Sequence, residues 1–88
     1  MTSLAAKFVF ASAVECTDDE IIVALSDGRT LSVPIVWFPR LAQASPSERA
    51  DYELLGDGEG IHWSQVDEDI SVAGLLAGKP SFEFKRSA

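Results

Sequence analysis

Cysteine occurs once in this chain, at Cys16, so no disulfide can close within it. A lone thiol suits a reducing compartment, and a cytoplasmic location is the expectation. Histidine also occurs once, at His62. One cysteine and one distant histidine cannot supply the several nitrogen and sulfur ligands of a zinc site. No apolar run approaches the ~20 residues of a membrane-spanning helix, so no membrane role is expected. Lys7, then Phe8 to Phe10, then Ala11-Ser12-Ala13 has the outline of a secretory leader. Three apolar residues are too few for the hydrophobic segment of such a leader, and the stretch reads as a strand.

Basic residues are missing from a whole third of the chain. Residues 50–78 hold Asp51, Glu53, Asp57, Glu59, Asp67, Glu68 and Asp69, with no lysine or arginine. The net charge of −7 resides there, because acids and bases balance elsewhere. A field of that sign repels phosphates, so direct binding of DNA or RNA is not expected. It suits a basic protein partner, and it serves equally as a solvated face that keeps a small domain in solution.

What is present describes one small α+β domain: an antiparallel sheet of three to five strands with two or three short helices. Eighty-eight residues, 47% of them hydrophobic and 24% charged, support a single adequate core without metal or disulfide. Phe8 to Cys16 reads as a first strand with Phe8, Phe10, Val14 and Cys16 on one face. Ile21 to Leu25 and Arg29 to Val33 follow as a hairpin. A two-residue loop there would pair Val23 with Ser32, apolar against polar. A three-residue loop with a left-handed Gly28 pairs Ile21 with Val33 and Val23 with Leu31, which gives one clean apolar face.

Pro34 ends that ladder for want of an N–H donor. Pro39 opens a short helix over Arg40 to Ala44, and Ser45-Pro46-Ser47-Glu48 starts another that ends near Tyr52. Glu53 to Leu55 reads as a fourth strand, stopped by Gly56. Ser71 caps a last helix over Val72 to Ala77, with Ile70 and Leu75 as its hydrophobic staple and Gly78 as its terminator. The domain spans 1–78. Residues 79–88 form a tail, either loose or, through Phe82 and Phe84, a fifth edge strand.

Chemistry concentrates between Gly56 and Ser71, which holds His62, Trp63 and five acids. His62 beside Asp67 or Asp69 has the makings of a general base held in one tautomer, or of a ligand contact. No recognised motif surrounds it, and Ser64 lacks a hydrolase signature, so no catalytic residue is assigned. A calcium loop begun at Asp57 puts Ile61 and His62 where an oxygen ligand and a glycine belong, and it fails. The glycines Gly56, Gly58 and Gly60 lack the lysine and hydroxyl of a phosphate loop. No metal or cofactor is expected. The segment reads chiefly as a hinge, with Ile61 and Trp63 as anchors and the acids leading into a capped helix.

Asp27-Gly28-Arg29, Val33-Pro34, Trp37-Phe38-Pro39-Arg40-Leu41, Ser47-Glu48-Arg49, Gly58 to Trp63, Val66 to Val72 and Gly74-Leu75-Leu76 occur in that order. This series resembles the bacterial domain of unknown function 2442, over roughly residues 8–78. The resemblance implies a small α+β domain with no established activity. Some relatives carry it ahead of a helix-turn-helix segment, and others are encoded beside a second small protein, as toxin–antitoxin pairs are. This chain ends at Ala88, and a DNA-binding role is not carried over to it.

The leading expectation is therefore a non-catalytic module for a protein partner, basic and encoded nearby, with a homodimer open. Its candidate interaction or ligand residues are Trp37, Arg40, Asp57, Glu59, His62, Trp63, Asp67, Glu68 and Asp69. The alternative is a small enzyme or ligand-binding domain using His62 with Asp67 or Asp69.

Overall fold

Apolar residues at every second position fold the chain into two three-stranded antiparallel sheets, seen in a computed structural model that describes residues 9–84. The first sheet runs β1 (Ala11–Cys16), β2 (Glu20–Leu25), β3 (Thr30–Pro34), with β2 in the middle. Ile21, Val23 and Leu25 on β2 all face the core. The hairpin has the register expected from the three-residue loop: Ile21 pairs with Val33 and Val23 with Leu31. Gly28 stands at φ 94°, which glycine adopts without steric cost. Asp27 accepts the Arg29 N–H at 3.1 Å, and the guanidinium Nε at 2.7 Å, which together hold its carboxyl below the usual range.

On β1 the face differs from simple alternation. The ladder shifts between Ala11 and Ala13, so Ala11, not Phe10, shares the core-facing side with Val14 and Cys16. An inserted bulge residue does this by breaking the period of two. Phe8 lies outside the described residues.

After Pro34 a single 3-10 turn (Ile35–Trp37) precedes α1 (Pro39–Ala42). The next helix, α2 (Pro46–Ala50), has the full capping box: Ser45 Oγ accepts from the Glu48 N–H, and the Glu48 carboxylate from the Ser45 N–H. The second sheet comprises β4 (Glu53–Leu55), β5 (Gly60–Trp63) and β6 (Glu68–Ser71), with β5 central. Helix α3 (Val72–Leu76) follows, capped by the Ser71 hydroxyl and closed by Gly78 at φ 75°.

The α+β class and the short helices stand as the sequence predicts, while the strands are divided between two sheets. The stretch read as a hinge supplies two of them. Ile61 and Trp63 alternate inward with Gly60 and His62 outward, a period too brief to separate from a loop across four residues.

One core lies between the elements, with Ile21, Ile35, Leu41, Ile61 and Trp63 among its fully buried members. Arg49 binds its parts together. Its guanidinium donates to the carbonyls of Leu41 and Ala42, each at 3.0 Å, and to Asp18 at 2.8 Å. Its own carbonyl accepts the Trp63 indole N–H at 3.0 Å. The buried cation thus satisfies the open C-terminus of α1 and loses no hydrogen bonds by burial. Gly58 joins the sheets, its carbonyl accepting the Ala11 N–H at 2.8 Å. Residues 79–84 contain no strand; Ser81 donates its N–H to the Trp37 carbonyl at 3.0 Å. Residues 85–88 lie outside the described part.

Candidate functional site

Pairing in the second sheet sets Glu53, His62 and Asp69 side by side across three strands, on the face opposite Ile61 and Trp63. Directly opposed residues on one face of a sheet sit within side-chain reach. His62 Nδ1 lies 2.6 Å from Asp69 Oδ1. That hydrogen bond raises the imidazole pKa above its ordinary 6.5, partial desolvation opposes it, and the charges of Asp69, Glu53 and Asp67 add to it. Asp67 forms no hydrogen bond with the ring, so of the two carboxylates the sequence left open, Asp69 is the partner. A ring held as imidazolium donates from both nitrogens and has no lone pair to accept a proton.

A second constellation gathers around Arg40. Its Nη1 donates to the Asp67 carbonyl at 2.7 Å, and its other nitrogens reach the Glu83 carboxylate at 3.1 Å to 3.3 Å. Asp67 has φ 53°, the one non-glycine residue with left-handed backbone among the described residues. The opposed charges raise the Arg40 pKa, the Glu83 hydrogen bond foremost. Beside them Glu68 retains only 8% of its exposure, and no hydrogen bond or ion pair reaches its carboxyl among the described residues. Burial raises its pKa; Arg40 opposes the shift, and Glu83, Asp69 and Asp67 reinforce it.

A groove of about 390 Å³ runs along β6 between that strand and residues 79–82. Phe38, Ile70, Leu75 and Phe82 line it together with Glu68 and Asp69. Two further hollows lie elsewhere. One, of about 180 Å³, is beside Cys16, Arg49 and Tyr52, and another, of about 340 Å³, is on the outer face of the first sheet over Ile22 and Ala24. His62 lines none of the three.

The structure thus divides the candidates from the sequence. Arg40, Asp67 and Glu68 come together, while Trp37 is half-buried and holds the tail through its carbonyl. His62 and Asp69 form their own pair. Asp57 and Glu59 are exposed in the β4–β5 turn, apart from both. Trp63 is corrected: it is fully buried, a core residue whose indole is spent on Arg49, and it offers nothing to a partner. Glu83 and Phe82 were missed, since 43 residues separate Glu83 from Arg40 and no local pattern links them. Among the described residues, no group of three or more histidine, cysteine, aspartate and glutamate side chains could hold a metal ion. No helix among them is long and apolar enough to cross a membrane.

Known proteins resemble this chain at the level of family and fold. The family described as "Protein of unknown function (DUF2442)" matches residues 11–81. A crystal structure of a protein of unknown function from Rhodospirillum rubrum is similar at 31% identity and TM-score 0.74, covering 86% of this chain and 94% of that one. The solution structure of an uncharacterised protein from Chromobacterium violaceum shares the fold at 22% identity and TM-score 0.73, over 91% of this chain and 75% of that one. No curated protein matches.

Proposed function

The chain belongs to the DUF2442 family, and we propose that it is a non-catalytic module that binds a protein partner through the acidic surface of residues 50–78. The observation that carries this reading is the exposure of six carboxylates there, Asp51, Glu53, Asp57, Glu59, Asp67 and Asp69, in a segment without lysine or arginine. Arg49 is buried, and Arg40, engaged with Glu83 and the Asp67 carbonyl, lies 3.8 Å from one of these carboxylates, that of Asp67, so five of the six are left without a lysine or arginine partner among the described residues. Such a field accelerates encounter with a basic surface and rejects an acidic one. A small basic protein encoded nearby, in the manner of a toxin–antitoxin pair, is the form of partner the family resemblance favours, and a cytoplasmic setting fits the free Cys16.

The test is retention of partners from native cells by the tagged chain and by a Glu53→Gln, Asp57→Asn, Glu59→Gln variant. A basic protein held by the first, lost from the second and released by raised salt is the expected result. Identical retention by both, or no specific partner at either salt, overturns the reading.

A second reading rests on the 2.6 Å contact of His62 with Asp69: a small enzyme or ligand site. It has a poised pair, but His62 lines none of the three hollows described above, and Asp69 and the neighbouring carboxylates raise its pKa, which favours the protonated ring. Substrate-like chemistry would need Nε2 free and neutral at working pH, and loss of any activity in His62→Gln would be its signature.

A further inference from the structure

We infer that the groove along β6 takes an extended peptide segment of the partner, added as a fourth strand to the second sheet, with a lysine or arginine side chain seated against Glu68. This rests on the protein-binding reading above and gives it a place and a recognition chemistry.

Among the described residues, strand β6 is an edge. The Val72 N–H donates to the Glu59 carbonyl at 2.9 Å. Continued along the register, that phase makes Ile61–Ile70 and Trp63–Glu68 the pairs that exchange backbone bonds. Asp69 therefore directs its N–H and C=O away from β5, and Ser71 directs its N–H the same way. An open edge is a template for another strand unless something covers it. Here all four residues of β6, inward and outward facing alike, line the groove, so the edge opens into it. Addition of a peptide strand to such an edge gives affinity through main-chain bonds and specificity through side-chain seats.

The seat is Glu68. Glu68 has nine-tenths of its residue surface buried, and its carboxyl, which solvent still reaches, has no hydrogen-bond or ion-pair partner among the described residues, so keeping it charged carries a desolvation cost. The raised pKa agrees with that cost. Arg40, the cation whose charge acts on Glu68, is committed to Asp67 and Glu83. An arriving ammonium or guanidinium supplies the missing partner, and its methylene stem lies along Phe38 and Leu75. Phe82, 97% exposed on the groove's other wall, is an apolar surface that a neighbouring side chain of the same peptide would cover. The charge balance of the lining, Glu68 and Asp69 against Lys79, favours a cationic occupant over an acidic one. A second copy of a chain with net charge −7 is the poorer match.

The experiment titrates the isotopically labelled chain with a blocked hexapeptide alternating valine and lysine, read by amide shifts in NMR. Saturable shifts at Asp69, Ser71 and Phe82 are expected. Affinity should fall roughly tenfold or more in Glu68→Gln, as for loss of one charge-assisted contact. The glutamate-for-lysine peptide, and a peptide N-methylated on the bonding edge, should not bind. Unchanged affinity in Glu68→Gln, or shifts confined to the β4–β5 turn, overturn the assignment. So do Asp69 and Ser71 shifts that follow protein concentration without peptide, since the occupant is then a second copy. If Glu68→Gln still captures the native partner while the Glu53, Asp57, Glu59 variant does not, the groove is refuted and the acidic surface survives. Capture lost from neither variant refutes both.

Discussion

Arg40 reaches from α1 to the carbonyl of Asp67, 2.7 Å away, and so fixes the single non-glycine residue with left-handed backbone among the described residues. The same guanidinium grips Glu83 in the tail. One side chain therefore sets the β5–β6 turn, the start of β6 and one wall of the groove beside it. Aspartate tolerates such a φ better than most residues, but the conformation still costs free energy that a partner must offset.

Arg40→Ala should leave the core intact and loosen these three segments together. Amide exchange at Glu68, Ser81 and Glu83 is expected to quicken several-fold, while Ile21 and Val23 on β2 keep their protection. Arg40→Lys, which has no fork to span two acceptors, should restore only part of the protection. Equal protection in all three proteins would show that the tail and turn hold their places without Arg40.

The His62–Asp69 pair makes stability depend on pH in a stated direction. The folded-state pKa of His62 lies above its ordinary 6.5. The pair therefore stabilises fully below that value and loses its contribution as pH rises through the folded pKa. Asp69→Asn should lower the thermal midpoint at about pH 6, and the difference should shrink as pH rises through the folded pKa. In NMR the His62 ring should titrate above its ordinary range in the parent protein and return toward it in Asp69→Asn. A midpoint difference that grows with pH contradicts the assignment.

Gly58 carries a cost of a different kind. Its φ is 104°, and a Cβ placed there would overlap the carbonyl oxygen of Ala11 on β1. Gly28 has a similar φ of 94° with nothing within 4 Å of the same position. Gly28→Ala should cost about 1 kcal/mol, the backbone penalty alone. Gly58→Ala should cost about 2–3 kcal/mol, because the strand must also move. Urea unfolding of the two variants separates strain from collision, and equal losses would mean that β1 yields freely.

These three cases show where the sequence was legible. Loop chemistry and local caps were readable because the causes lie within a few residues. Asp27-Gly28 fixes the hairpin register, Ser45 with Glu48 starts α2, and Ser71 with Gly78 bounds α3. The bulge in β1 was not, since nothing in Phe10 to Val14 announces an inserted residue. Nothing in the residues around Arg49 announced that it is buried. Its burial is decided by the carbonyls of Leu41 and Ala42 at the end of a one-turn helix, the second of which no backbone N–H reaches among the described residues, and by Trp63 from the second sheet. The site divided along the same line. The His62–Asp69 contact was within reach of local reasoning, at seven residues' separation. The meeting of Arg40 with Asp67 and Glu83, and the open edge of β6, depend on which strands become neighbours.

Glu68 supplies the last expectation, because binding and stability should move in opposite directions there. Its folded pKa is raised above the ordinary 4.5, chiefly by burial. The folded state thus holds its proton more tightly than the unfolded chain. Raising pH through this interval therefore removes stability from the parent protein. Glutamine keeps the shape and carries no charge to desolvate. Glu68→Gln should match the parent at about pH 4 and exceed it at about pH 7 in urea unfolding, while binding the lysine peptide less well. If the variant is instead the less stable protein at neutral pH, an internal cation already holds the Glu68 carboxylate. The groove then has no vacant partner to offer.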